Sequence, residues 1–283
     1  MKKKKIYVYD DLGSSQYFVY QMKNFLKLVY PPCNYSIRSI KAVDILNRKL
    51  EETDENGELS VFLLVMGGGY DLGYLEALGL DGSQLISEFV QLGGNYLGVC
   101  AGGYFACNHV QFDIGGKYEV QGERYVKLFN GTAVGPYENV FHYDKTVSAT
   151  AISVAFDENC APYAQLRDTF HRSRFHMLLN GGFYLVPNDA NFKPVAFYDN
   201  GDEKKLAIVE CAMGKGKCLL SGVHFEFNAN DIKFLNNDLD PHVNQLLLQN
   251  IPFSSMNTEM DELLVKHSNY LLANILLKSV FNE

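Results

Sequence analysis

Apolar positions along this chain fall into three regimes, and each predicts a different kind of structure. In the first, buried strands alternate with amphipathic helices. Ile6 to Tyr9 predicts a short strand that stops at Asp10-Asp11-Leu12-Gly13. Phe18, Met22, Phe25 and Val29 then recur at helical spacing, with Gln21, Asn24 and Lys27 on the other side, until Pro31-Pro32 ends the helix. Tyr35 to Ile40 predicts a second strand, Ala42 to Leu50 a helical stretch, and Glu51 to Glu58 an acidic surface loop. Val61 to Met66 is apolar without interruption, as in a parallel strand covered on both faces. Ser83 is placed to cap a helix over Gln84 to Leu92, which Gly93-Gly94 stops, and Tyr96 to Val99 is the next strand.

The second regime runs from Val110 to about Tyr198. Short alternating runs are separated by Gly115-Gly116, Asn130-Gly131, Gly135-Pro136 and Asn180-Gly181-Gly182, which predicts an antiparallel insertion over one end of the sheet. Leu206 to Glu210 and Lys217 to Leu220 then flank Gly214-Lys215-Gly216, a hairpin signal. The third regime, past Asn228, is helical: Leu246, Leu247 and Leu248 fall on one helix, and Thr258 caps another in which Leu264, Leu271 and Ile275 share a face. The expected fold is α/β. It is a single domain over 1–283 with a doubly wound, mostly parallel, flavodoxin-like sheet, a β-rich insertion at about 110–205 and a helical extension at about 228–283.

Ligands of such sheets bind at the C-terminal ends of the strands. Two glycine-rich turns fall there. Gly67-Gly68-Gly69 follows the third strand and frees backbone N–H groups to face a ligand. Gly98-Val99-Cys100-Ala101-Gly102 has the spacing of a nucleophile elbow, a sharp strand-to-helix turn, with cysteine at its centre. A helix start behind the sulfur favours thiolate. The same pentapeptide also suits a buried structural cysteine. His224 and Glu226 follow a late strand one residue apart, so an extended backbone turns both side chains the same way. A carboxylate on an imidazole orients it to take a proton from a thiol; an ordinary histidine at a strand end is the alternative.

Other motifs carry less. Leu72 stands where a dinucleotide fingerprint needs its last glycine, and Cys218 follows Gly216-Lys217 where a phosphate loop needs Ser or Thr. His171 and His176 lack a common metal-ligand spacing, and Arg167, Arg172 and Arg174 suit a solvated loop better than an anion site. Cys107, seven residues after Cys100, would share its helical face as a packed core thiol or a resolving one.

Composition narrows the class. The chain has 283 residues, 47% of them hydrophobic and 20% charged, with a net charge of −8, against a general nucleic-acid binder. No stretch approaches the length of apolar residues needed to cross a membrane, and the first residues lack the apolar core and small-residue cleavage site expected of a signal peptide. The six cysteines form no C-x-x-C pair, against a structural zinc site, and in a chain this long without a secretion signal they are expected to be reduced thiols of a cytoplasmic protein. No metal and no cofactor are expected, and the expected partner is a small-molecule substrate.

Taken together, the glycine turn, the cysteine elbow and the late His-x-Glu resemble the class I glutamine amidotransferase-like superfamily. Met66 to Leu72, Gly93 to Phe105, Asn180-Gly-Gly, Gly214 to Lys217 and Gly222 to Phe227 look more narrowly like the amino-terminal domain of eukaryotic-type biotin–protein ligases and its stand-alone relatives. The resemblance implies Cys100 as nucleophile, His224 as base and Glu226 as its orienter. It implies an oxyanion hole from the N–H groups of Ala101 and of Gly68 or Gly69. Tyr70, Gly102, Gly103, Tyr104 and Asn180 are the pocket candidates. The chain departs from the amidotransferase pattern at Tyr104, where the substrate-holding glutamine is expected, and it lacks the ligase catalytic domain. The implied activity is a Cys-His-Glu amidase acting on a small amide or acyl compound. The alternative is a regulatory binding module, with a separately encoded ligase or synthetase as partner.

Overall fold

The structure, a computed structural model, describes residues 3–138, 149–201, 203–227 and 272–281. The first half alternates as its periodicity predicts: β1 (Lys4–Tyr9), α1 (Gln16–Val29), β2 (Tyr35–Ile40), α2 (Ala42–Leu46), β3 (Val61–Met66), α3 (Asp71–Gln91) and β4 (Asn95–Val99). The helical stretch expected after β2 is divided into α2 and a 3-10 turn at Lys49–Glu51. α4 (Ala101–Phe105) follows, then β5 (Cys107–Phe112), β6 (Val120–Glu123), β7 (Phe129–Gly135) and β8 (Thr150–Phe156). The remaining elements are α5 (Tyr163–Phe170), β9 (Arg174–Leu179), β10 (Tyr184–Pro187), β11 (Lys193–Tyr198), β12 (Leu206–Met213) and β13 (Gly216–Ser221).

These strands join in one sheet. Its parallel part runs β2-β1-β3-β4-β13, the flavodoxin-like order with β13 in fifth place. β12 turns back antiparallel from β13, and β10, β7, β5 and β6 continue outward, while β11, β8 and β9 branch from β12. The antiparallel segment therefore extends the sheet sideways. It begins at Cys107, slightly before the predicted boundary, and contains one parallel pair, β5 with β7.

Alternation along the central strands separates two cores. Ile6, Val8, Leu97 and Val99 face α1, through Met22 and Phe25. Tyr7, Tyr9, Tyr96 and Met66 face α3, through Tyr74, Ile86 and Phe89. Residues 272–281 are helical and pack Leu272, Leu276 and Val280 into the first core, beside Ile275 of the predicted helical face. The rest of that prediction, including Leu246 to Leu248, Thr258, Leu264 and Leu271, lies outside the described residues. No described helix is long and apolar enough to cross a membrane.

Two local expectations are corrected. Ser83 does not begin a helix: α3 starts at Asp71 and kinks at Gly79 (φ 58°, ψ −157°), and the buried Ser83 hydroxyl donates to the Gly79 carbonyl at 2.6 Å. A buried serine satisfied inside a helix mimics a cap in sequence. Cys107 shares no helical face with Cys100, because α4 is five residues long and Cys107 opens β5. Its thiol is fully buried and points at the Gly103 carbonyl, 3.3 Å away.

Candidate active site

Strand order assembles the site. β13 lies parallel to β4 with Ser221 opposite Val99, and the Cys100 N–H donates to the Ser221 carbonyl at 2.8 Å. The segment leaving β13 therefore passes beside the turn leaving β4. That segment is pinned from its other side, where the His224 N–H donates to the Leu178 carbonyl of β9 at 2.7 Å. Cys100, His224 and the Asn180 that follows β9 are brought together by this ladder geometry.

The turn at Cys100 has the strain its spacing predicts. Cys100 adopts φ 51° and ψ −112°, a conformation that costs about 1–3 kcal/mol for a residue with a Cβ and persists only where the surroundings enforce it. Enforcement comes from close backbone approach: a Cβ on Gly98 would lie 2.7 Å from the Gly102 carbonyl oxygen, and one on Gly102 would lie 1.9 Å from that of Met66. The Gly102 N–H donates to Gly67 at 3.1 Å, tying the elbow to the other glycine turn. The Cys100 thiol faces the Asn180 carbonyl oxygen at 3.5 Å.

His224 and Glu226 are both fully buried, with Nδ1 and Oε1 2.8 Å apart. Burial is the largest influence on the imidazole and opposes its charge. The Glu226 charge and then the Cys100 thiol outweigh it, so the His224 pKa is raised to about 10. Nε2 makes no hydrogen bond among the described residues. Phe18 of α1 stacks on the imidazole, with centroids 4.6 Å apart and planes at 14°, and keeps water from it. Burial pushes the Cys107 thiol up and lifts Cys160 to about 12, so neither is poised to ionise.

Beside Cys100 opens a cavity of about 250 Å³. Of the residues expected there, Gly69, Tyr70, Cys100, Ala101, Tyr104 and Asn180 line it. Gly68, Gly102 and Gly103 do not: the Phe18 ring covers Gly68, Met66 backs onto Gly102, and the Phe183 ring lies over Gly103. Neither the Gly68 nor the Gly69 N–H is taken up by another group among the described residues, and of the two only Gly69 borders the cavity. The first N–H groups of α4, including that of Ala101, have no intrahelical acceptor. Tyr104 is buried and donates its hydroxyl to the Gly181 carbonyl at 3.2 Å, so it braces the Asn180-Gly181 loop as well as narrowing the cavity.

Sequence reasoning missed two parts of the wall. Ser14 and Ser15 come from the turn after β1, and Phe18 from the first turn of α1 behind it, at the same sheet edge; the Asp10 to Gly13 break was its signal. Val110, Phe112 and Val120 come from β5 and β6, where nothing in the pattern separates a cavity-facing valine from a core valine. Asp71, at the start of α3, was also missed. Among the described residues no three His, Cys, Asp or Glu side chains converge as metal ligands. Arg167 pairs with Asp168 and Arg174 with Asp199, away from the cavity.

Comparison with known proteins agrees with the strand order. The family described as biotin-protein ligase, N terminal, matches residues 4–268. A biotin–protein ligase from Schizosaccharomyces pombe is 37% identical over 181 residues, covering 62% of this chain but only 27% of that ligase. An uncharacterized protein from Chlamydia muridarum is 31% identical over 232 residues, covering 80% of this chain and 82% of its own length. The solved structure of PurLQS from Thermotoga maritima superposes with a TM-score of 0.52 at 13% identity, over 88% of this chain and 99% of that one, a likeness of fold alone.

Proposed function

The chain belongs to the biotin-protein ligase N-terminal family, on a class I amidotransferase-like fold, and from that premise we propose that it is a cysteine-dependent amidase or amidotransferase-like hydrolase of a small amide or acyl substrate. The observation that supports this reading most is the buried 2.8 Å His224–Glu226 pair beside a cysteine held at positive φ on the rim of a cavity. A structural cysteine has no need of that strain, nor a structural histidine of a carboxylate that keeps it charged.

In this mechanism the Cys100 sulfur, its proton held by His224, attacks the substrate carbonyl. The carbonyl π electrons move onto oxygen, which the N–H groups of Ala101 and Gly69 receive, a contribution of about 3 kcal/mol per donor. His224 gives its proton to the departing amine or alcohol as the C–N or C–O bond breaks. Water, deprotonated by the same imidazole, then releases the acyl group from sulfur. Glu226 holds the imidazole in the required orientation throughout. Tyr104 fills the place from which amidotransferases hold glutamine, so little ammonia should come from glutamine.

The second reading is a binding or regulatory module serving a separate ligase or synthetase. It is favoured by Tyr104 and by the Phe18 ring that closes over His224. Brief, limiting iodoacetamide treatment with peptide mapping, followed by a panel of small amides and esters, separates the two. The enzyme reading expects Cys100 to label ahead of exposed Cys33, and at least one compound to be hydrolysed by the wild type and not by Cys100→Ala. Equal labelling with a silent panel would transfer the proposal to the binding module.

A further inference from the structure

The cavity wall carries an electrostatic asymmetry. Its lining is largely apolar, from Phe18, Tyr104, Val110, Phe112 and Val120, and Asp71 is the one charged side chain among the described lining residues. No described lysine or arginine lines it.

Asp71 is nine-tenths buried, yet its carboxylate is only half used. Oδ2 accepts a 2.6 Å hydrogen bond from Nε of Arg124, which itself is 1% exposed. Arg124 is anchored from behind, with Nη1 donating to the Glu123 carbonyl at 2.9 Å and the Gly122 carbonyl at 3.3 Å. Oδ1 has no partner among the described residues. Stability alone would be served by a bidentate pair with both oxygens satisfied. Here Nη2 also stays unpartnered in the interior, so the guanidinium meets the carboxylate by one edge and leaves the second oxygen to the cavity side.

We infer that Asp71 determines substrate specificity, receiving a protonated amine or comparable N–H donor through Oδ1. The substrate class is then an amide or ester that bears a cationic amine across an apolar spacer and carries no carboxylate. This inference rests on the proposed function, since it assumes that the acyl carbon sits at Cys100. A compound with a free carboxylate would have to leave that charge in a cavity whose described walls offer no cation, which would add to the barrier against glutamine.

Alkylation of Cys100 tests the inference without requiring turnover. The thiolate displaces halide from 2-bromoethylammonium, iodoacetamide or iodoacetate, forming C–S as the carbon–halogen bond breaks. Each rate is divided by that of the same reagent with 2-mercaptoethanol and compared with exposed Cys33. Asp71→Asn should lower the cation-to-anion rate ratio at Cys100 by about 10-fold, the effect of removing one unit charge at short range in a partly wet site, and leave the ratio at Cys33 unchanged. Because Asn would strand Arg124, Asp71→Asn/Arg124→Gln provides a charge-balanced second variant, expected to show a smaller fall in the same direction, since the carboxylate faces the cavity and the guanidinium lies behind it. A third measurement uses only the wild type: millimolar 1,4-diaminobutane should slow iodoacetamide labelling of Cys100, and succinate should not. A ratio unmoved in either folded variant, or protection by succinate equal to that by the diamine, overturns the inference while leaving the proposed hydrolase intact. Failure of Cys100 to label with any reagent overturns both.

Discussion

The two halves of the sheet contribute to the cavity by different routes. The parallel half places the proposed reacting groups at strand ends: Gly69 after β3 and Cys100 after β4 border the cavity, and His224 after β13 is buried under the Phe18 ring. Their positions follow from main-chain ladders, and the flanking glycines are required because a Cβ on Gly102 or Gly98 would fall 1.9 or 2.7 Å from a backbone carbonyl oxygen. The antiparallel half delivers shape: Val110 and Phe112 from β5, Val120 from the start of β6, and the Asn180-Gly181 loop braced by Tyr104. In the proposed mechanism the comparison separates the reacting groups, all held at ends of parallel strands, from the lining, which is shared between the turns of the parallel half, with Phe18 and Asp71, and the strands that pack sideways onto it. Changes at Cys100 or Glu226 should remove reactivity, and changes at the antiparallel lining residues should alter binding while reactivity survives.

The sharpest test of that division is Cys100→Ala. Hydrolysis of any substrate found by the panel should fall by about 10⁴-fold or more, while the melting temperature stays near that of the wild type, because a small side chain is lost and the strained turn is retained by its surroundings. A large loss of stability would show instead that the cysteine is structural.

Glu226→Gln comes next. It keeps shape but removes the charge that holds His224 protonated, so kcat/KM should fall by about 10²- to 10⁴-fold. The same pair predicts a pH dependence of folding. The His224 pKa is raised from 6.5 to about 10 in the folded protein, so its stabilising contribution is fully present below about 6.5 and is lost as pH rises through about 10. Urea unfolding between pH 6 and 10 should show wild-type stability declining more steeply than that of Glu226→Gln. Parallel curves would mean that the imidazole is not held charged.

Effects in the antiparallel half should be smaller and of another kind. Tyr104→Phe removes the donor to Gly181, costing about 1 kcal/mol and loosening the loop next to Cys100. Denaturant midpoints would register this, with kcat/KM reduced by less than about 10-fold. Val120→Ala, at a half-buried position, should raise KM by a few-fold and leave kcat near wild type, as expected when binding common to ground and transition states is removed. If Val120→Ala lowered kcat instead, the two halves would not be separable.

Much of the frame was legible in the chain because its signals are local. The uninterrupted run at Val61 to Met66, the period of Phe18, Met22 and Phe25, and the spacing of Gly98, Cys100 and Gly102 each encode their structure within a few residues. The same locality misled at Ser83, whose bond to Gly79 lies within a kinked helix, and at Cys107, where a five-residue helix gives way to a strand that tertiary pairing stabilises.

By itself, then, the amino-acid order determined the parallel strands, the strained cysteine turn and the His-x-Glu alternation, since each depends on backbone sterics or on a period of two or 3.6 residues. Only the tertiary structure decided that β13 would lie beside β4, that Phe18 would cover His224, and that Asp71 would meet Arg124 at the cavity wall. Those contacts join residues distant in sequence, and the free energy that selects them comes from burying whole faces of the sheet, a quantity that no short stretch of the chain contains.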